Sequence, residues 1–221
     1  WVERGGDRET EVPKWVRHGA PLGIQTPIGT CGIFPPADTE DANMVAEAEL
    51  EDATAQMSKG SLLNYKSVLD DMENAKTELD RYRQAGYLKD ITKKEVEESM
   101  GHGTISKLGL IVKEKPEGIK RRIIIDLRRS GGNQKAVLPE KLTLPRPRDA
   151  VATVRDVFEL RGHCQQHEGP VTREMAVIDI QDAFMSLGVA TEELPHTLTP
   201  SLVENEYYCF CALLFGYKTA L

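Results

Sequence analysis

The chain has 221 residues (24.6 kDa), with 40% hydrophobic and 29% charged residues. That is enough to build a sizeable core, and its composition is that of a globular rather than a low-complexity chain. The longest late apolar run, Cys209 to Phe215, is too short to cross a bilayer, and no basic segment followed by an apolar one opens the chain as a secretory leader would. The net charge of −7 conceals a division: acids dominate from Asp38 to Asp80, and Lys and Arg outnumber them from Lys107 to Arg161. Only the second stretch suits a polyanionic partner.

In chain order, residues 1–37 are rich in Gly and Pro and read as an irregular lead-in, docked by Trp15, Val16, Leu22 and Ile24. Asp38 to Gln56 is alanine- and acid-rich, open to weak helix or disorder. The lead-in as a whole is placed at 1–57. From Ser61 to Gly86, Leu62, Leu63, Tyr65, Val68, Leu69, Met72, Ala75, Leu79 and Tyr82 recur at steps of three and four, so one amphipathic helix is expected, stopped by Gly86. Thr92 to Met100 reads as a second helix, with Thr92 and Glu95 forming a capping box. The period then changes. Lys107–Lys113 and Arg122–Leu127 are β-rich runs around the turn-prone Lys115-Pro116-Glu117-Gly118, which predicts a hairpin ended by Ser130-Gly131-Gly132-Asn133. Beyond a proline-marked loop, the spacing predicts a helix over Arg148–Leu160, a buried strand over Met175–Ile180, a turn or short helix at Asp182–Ser186, and a strand over Tyr207–Leu214. Cys31, Cys164, Cys209 and Cys211 lack zinc-site spacing and read as reduced, in an intracellular protein, cytoplasmic or nuclear.

Three constellations carry chemistry. In Ala176-Val177-Ile178-Asp179-Ile180-Gln181-Asp182-Ala183-Phe184-Met185-Ser186-Leu187, a buried strand presents a carboxylate at its far end, as a hard divalent cation requires; a helix-capping role for Asp179 is equally open. In Lys120-Arg121-Arg122-Ile123-Ile124-Ile125-Asp126-Leu127-Arg128-Arg129, alternation puts Arg122, Ile124 and Asp126 on one face and Arg121, Ile123 and Ile125 on the other. Guanidinium groups there suit triphosphate oxygens and base stacking, while a charge-protected edge strand is the plainer reading. In Leu213-Leu214-Phe215-Gly216-Tyr217-Lys218-Thr219-Ala220, a glycine after a strand lets backbone approach a ligand, or simply makes a turn.

Taken in order and at these separations, the three resemble the reverse transcriptases of retroviruses and LTR retrotransposons over roughly Leu79–Leu221, most closely at Val177–Val189. The resemblance implies an α+β fold: a fingers hairpin with helices (58–147), followed by part of an antiparallel palm sheet of a right-hand polymerase (148–221). It implies that Asp179 is a catalytic metal ligand, with the Ile180 backbone beside it, for Mg²⁺ or Mn²⁺. It further implies that Asp182 and Ala183 meet the incoming triphosphate through backbone amides, and that Phe184 clashes with a ribose 2′-hydroxyl. Arg122 and a hairpin lysine, Lys115, would contact the deoxynucleoside triphosphate, with Phe215 lining its site. Arg128, Gly216 and Lys218 would face an RNA or DNA template–primer.

Leu214 and Leu221 stand where the second palm motif has prolines. The aromatic-x-Asp-Asp motif that supplies the partner carboxylates is missing, so the chain reads as a piece of a longer enzyme that is inactive by itself, since two-metal transfer needs carboxylates from both strands to hold the metals roughly 4 Å apart. Val68-Leu69-Asp70-Asp71-Met72 imitates that motif out of order, but it falls within the helical pattern where a β-turn is needed. A non-catalytic nucleic-acid-binding remnant is the rival reading, and a plain structural domain is a third.

Overall fold

A computed structural model describes residues 10–37, 53–58, 62–116, 118–141, 146–159, 182–214 and 216–217. The chain forms two compact units: residues 1–141 with 182–221, and residues 142–181. The architecture is mixed α+β, with two small antiparallel sheets among the described residues.

In the first unit, the helices are α1 (Val12–His18), α2 (Ala53–Ser58), α3 (Lys66–Leu69), α4 (Met72–Gln84), α5 (Lys93–Glu95) and α6 (Gly132–Lys135). The strands are β1 (Leu88–Thr92), β2 (Leu108–Lys115), β3 (Gly118–Ile125), β4 (Leu198–Pro200) and β5 (Glu206–Phe210). One sheet runs β1-β5-β4, and the other is the β2-β3 hairpin. In the second unit, α7 spans Pro147–Glu159, close to the expected helix; the Asp149 carboxylate reaches back to the Arg146 amide (2.7 Å) and satisfies a donor ahead of its first turn.

The lead-in is less irregular than its composition suggests. Pro13 lies at the start of α1, where a missing N–H costs nothing. Leu22 is fully buried, and Trp15 and Ile24 pack on the core, but Val16 is 66% exposed and docks nothing. Of Asp38–Gln56, only the start of α2 is described, with Ala53 buried.

The single helix expected from Ser61 to Gly86 is two. The chain leaves helical geometry at Asp71 (φ −135°, ψ 53°), between α3 and α4. The cause is tertiary. Ahead of the break, residues 64–67 line the edge of β2: Asn64 Oδ1 accepts from the Leu108 amide (3.0 Å), the Tyr65 amide donates to the Leu108 carbonyl (2.9 Å), and Ser67 Oγ accepts from the Leu110 amide (3.1 Å). Past the break, α4 buries Ala75, Leu79 and Tyr82 on a different line, so Leu63, Leu69 and Met72 are left exposed. Asp70-Asp71 therefore joins two helices rather than sitting inside one, and it is still not a turn between strands. Gly86, at φ 76°, takes the left-handed step after α4, as expected of a terminating glycine.

The capping box of α5 forms: the Glu95 amide donates to Thr92 Oγ1 (3.2 Å), and Glu95 Oε2 accepts from the Thr92 amide (2.7 Å). A π-helical turn, Val96–Met100, continues it. The hairpin has longer arms than expected, with Lys113 opposite Lys120 and Lys115 opposite Gly118. The strand expected over Tyr207–Leu214 ends at Phe210, with Ala212 pairing beyond it. Met175–Ile180 lies outside the described residues.

Strand alternation at β5 joins the two parts of the core. Tyr208 and Phe210 point into a cluster with Leu79, Leu108, Ile125 and Leu127. Tyr207 and Cys209 point the other way, toward Ile91, Val96, Ile105 and Leu198. Cys211, expected on the Cys209 face as a buried residue, lies past the strand and is only half-buried.

Candidate nucleotide and template interface

The outer half of the hairpin, Ile111 to Arg122, carries Lys113, Lys115, Lys120, Arg121 and Arg122 against Glu114 and Glu117. Its described residues are exposed except Arg121. Lys113 and Lys120 face each other across the ladder, and like charges so placed oppose pairing. They are tolerable on an exposed ribbon, and a polyanion laid against them would relieve the repulsion. Arg122 is exposed, and Ile123 and Ile125 pack on the core, as the predicted alternation requires; on the other face Ile124 and Asp126 are half-buried rather than exposed.

At the foot of β3, Asp126 organises the loop bearing Arg128 and Arg129. Its carboxylate accepts a close hydrogen bond from the Tyr65 hydroxyl and a 2.9 Å bond from the Arg129 amide. Burial pushes this carboxyl up, but the Tyr65 hydroxyl and the Arg129 and Arg128 amides outweigh it, leaving Asp126 below the usual carboxylate range. The same bond raises the Tyr65 phenol. Gln134 Nε2 donates to the Arg128 carbonyl (3.0 Å), so the backbone is pinned while the Arg128 side chain is left exposed.

Gly216 meets this loop. Asn133 Nδ2 donates to the Gly216 carbonyl (2.9 Å), and a Cβ on Gly216, at φ 116°, would lie 3.7 Å from the Ile125 carbonyl oxygen. Gly216, 83 positions beyond Asn133, thus meets the foot of β3 and the loop that bears Arg128.

The segment after Asp182 runs beside the continuation of β5. The Val189 amide donates to Cys211 O (2.8 Å), and the Leu213 amide to Leu187 O (2.9 Å). Asp182 is left-handed (φ 50°, ψ 39°) and precedes a 3-10 turn at Ala183–Ser186. Phe184 stands 38% exposed, outside both core clusters.

No family model matches the chain, and no curated protein matches it. The site therefore rests on its own residues. Asp179, Ile180, Phe215 and Lys218 lie outside the described residues. Among the described residues, no group of three or more His, Cys, Asp or Glu side chains could hold a metal ion, and no helix is long and apolar enough to cross a membrane. The donors implied for a divalent cation, the Asp179 carboxylate and the Ile180 carbonyl, are both hard oxygens, which suit Mg²⁺ or Mn²⁺.

Two residues that sequence reasoning did not single out are bonded to residues of the site: Tyr65, to a residue 61 positions on, and Arg81, to Asp182 across 101 positions. Neither partnership has a local signature.

A buried polar network ties residues 24–26 to the 3-10 segment Thr191–Thr197. Glu193 is fully buried, and its carboxylate accepts from the amides of Ile24 (3.2 Å), Gln25 (3.1 Å) and Thr26 (3.0 Å). His196 is 1% exposed and lies 3.0 Å from Gln25 Nε2. Burial first, then Lys135 and His102, depress the His196 imidazole to about 4. The folded state therefore resists a proton that the unfolded chain accepts near pH 6.5. The His196 contribution to stability should be level above about pH 6.5 and fall by about 3 kcal/mol in all as pH drops to about 4. Urea titrations across that range check it, and His196→Gln should flatten the histidine-dependent part of the slope.

Proposed function

We propose that the chain is the fingers and early palm of an RNA-directed DNA polymerase, which holds an RNA or DNA template–primer and a deoxynucleoside triphosphate. The observation carrying this reading is that Gly216 meets the foot of the basic hairpin and the Asp126-pinned loop that bears Arg128. The reaction would be template-directed nucleotidyl transfer, in which a primer 3′-hydroxyl attacks the α-phosphate. A bound divalent cation would supply Lewis-acid stabilisation of the phosphoryl charge. The chain's own residues would do the rest. Arg122 and Lys115 would neutralise the triphosphate. Arg128, held by its backbone, would contact the template strand. Phe184 would exclude a 2′-hydroxyl by occupying its space, because weak contacts alone reject an added hydroxyl poorly.

Fluorescence anisotropy with a labelled RNA–DNA primer–template tests this. Binding should weaken steeply with salt. Arg128→Ala should reduce affinity and lower the log–log salt slope by about 1, as the loss of one phosphate contact would. Arg122→Ala should chiefly weaken retention of labelled dTTP on the chain–duplex complex. No duplex binding at low salt, or duplex binding indifferent to Arg128→Ala together with dTTP retention indifferent to Arg122→Ala, would refute the assignment.

A further inference from the structure

Arg81 closes the last turn of α4. Its Nη1 donates to Asp182 Oδ2 at 3.1 Å, its Nε to Glu78 Oε2 at 3.3 Å, and its guanidinium carbon lies 4.7 Å above the Tyr82 ring centroid. Tyr82 is itself buried and packed near Tyr87, so the platform under the guanidinium is fixed. Arg81 thus has two contacts within α4 besides the one to Asp182, although its side chain is 46% exposed.

Asp182 is in the opposite situation. An aspartate just before a helical turn ordinarily takes an extended backbone and folds its carboxylate back onto the amides of the first turn. Asp182 does neither. Its backbone is left-handed, and its side chain makes no cap hydrogen bond. The turn is closed from the other side, by the Ser186 amide on Asp182 O (3.1 Å) and Ser186 Oγ on Ala183 O (2.6 Å). Left-handed geometry is uncommon but accessible for aspartate, so the two arrangements lie close in energy and a single contact can decide between them. The Asp182 carboxylate is paired with Arg81 instead of capping the turn.

We propose that Arg81 is a positioning residue, which holds Asp182 in the left-handed conformation and thereby sets how the Ala183 backbone and the Phe184 ring are presented. Its bearing on nucleotide selection rests on the polymerase reading; its hold on Asp182 does not. An exposed ion pair adds little to global stability. The consequence of losing Arg81 is therefore local.

Two NMR measurements on the chain separate these points. The first is the intraresidue amide–Hα cross-peak of Asp182, which a positive φ strengthens. It should collapse in Arg81→Ala, recover in Arg81→Lys, and stay in Glu78→Gln, while α4 amide protection is unchanged in all three. The second adds Mg·dTTP with primer–template. The Ala183 and Phe184 amide shifts should titrate in the wild type, and roughly tenfold more weakly in Arg81→Ala, the scale of losing one hydrogen bond. A strong Asp182 cross-peak persisting in Arg81→Ala overturns the proposal, as does its loss together with α4 protection, which would make Arg81 a helix stabiliser only. Wild-type amides that ignore the nucleotide, alongside a collapsed cross-peak in Arg81→Ala, would refute the polymerase reading and leave the hold on Asp182 standing.

Discussion

Glu193→Ala should cost about 3–5 kcal/mol of stability, because it strands backbone donors rather than merely deleting a contact. The Glu193 carboxylate is the acceptor for three consecutive amides, Ile24, Gln25 and Thr26, and it is fully buried. Removing it leaves three N–H groups without that partner, each costing about 1–3 kcal/mol where water cannot enter. Glu193→Gln retains an acceptor oxygen in nearly the same volume and should cost less, about 1–2 kcal/mol. The loss should be local before it is global. Ala20 pairs with Val189, and its carbonyl accepts from Ala190, so the lead-in strap is tied to the body at that ladder and at Glu193. In Glu193→Ala, hydrogen exchange of Leu22–Thr26 should accelerate well ahead of β5. Equilibrium urea unfolding gives the total, and a loss under about 1 kcal/mol would show that the clamp is not what holds the strap.

Which parts of this arrangement could be read from the sequence depends on how local their causes are. The Thr92–Glu95 capping box, the Gly86 stop and the two arms of the hairpin are each encoded within a few residues, and all three form. The alternation of Arg121, Ile123 and Ile125 survives because one face of β3 packs on the core. By contrast, β1 has its buried positions, Leu88 and Ile91, three residues apart, with Lys89 and Asp90 exposed between them. An edge strand anchored at its ends carries no alternating signal, and register with β5 alone defines it. Strand β4 ends on Pro200, whose missing donor argues against strand in any local reading. The break at Asp71 was hidden for the same reason: the helical period runs through it, and only the edge of β2 forces the chain apart there. At the site, Arg122, Asp126 and Arg128 are legible from spacing. Tyr65, Arg81 and Glu193 act on partners 61, 101 and about 168 residues away, so no window of sequence shows them.

Gly103→Ala should be as damaging as loss of the Glu193 clamp, through the opposite cause. A Cβ on Gly103 would lie 1.8 Å from the Pro195 carbonyl oxygen, 2.4 Å from its carbon and 2.8 Å from its Cβ. The strain is one of space, since Gly103 has no left-handed backbone to protect. Neither side can give way cheaply. The Thr104 amide donates to Pro195 O (3.1 Å), the Ser106 amide to Leu198 O (2.8 Å), and the Gly103 carbonyl accepts from Ala53 (2.8 Å). Relief means parting residues 103–106 from 195–198, which opens the cluster around Ile105 and Leu198. A cost of about 3 kcal/mol follows, at the upper end for overpacking, and lowers Tm by roughly 6–12 °C for a chain of this size. Gly29→Ala is the control: nothing lies within 4 Å of its added Cβ, so it should be neutral or slightly stabilising. Because Pro195 lies two residues from Glu193 in one 3-10 segment, Thr191–Thr197, the two lesions share a structure. Once Gly103→Ala has displaced that segment, Glu193 no longer meets its three amides squarely. The double variant Gly103→Ala/Glu193→Ala should therefore lose about 1 kcal/mol or more less than the sum of the singles. Strict additivity would show that the strap and the 103–106 contact are held independently.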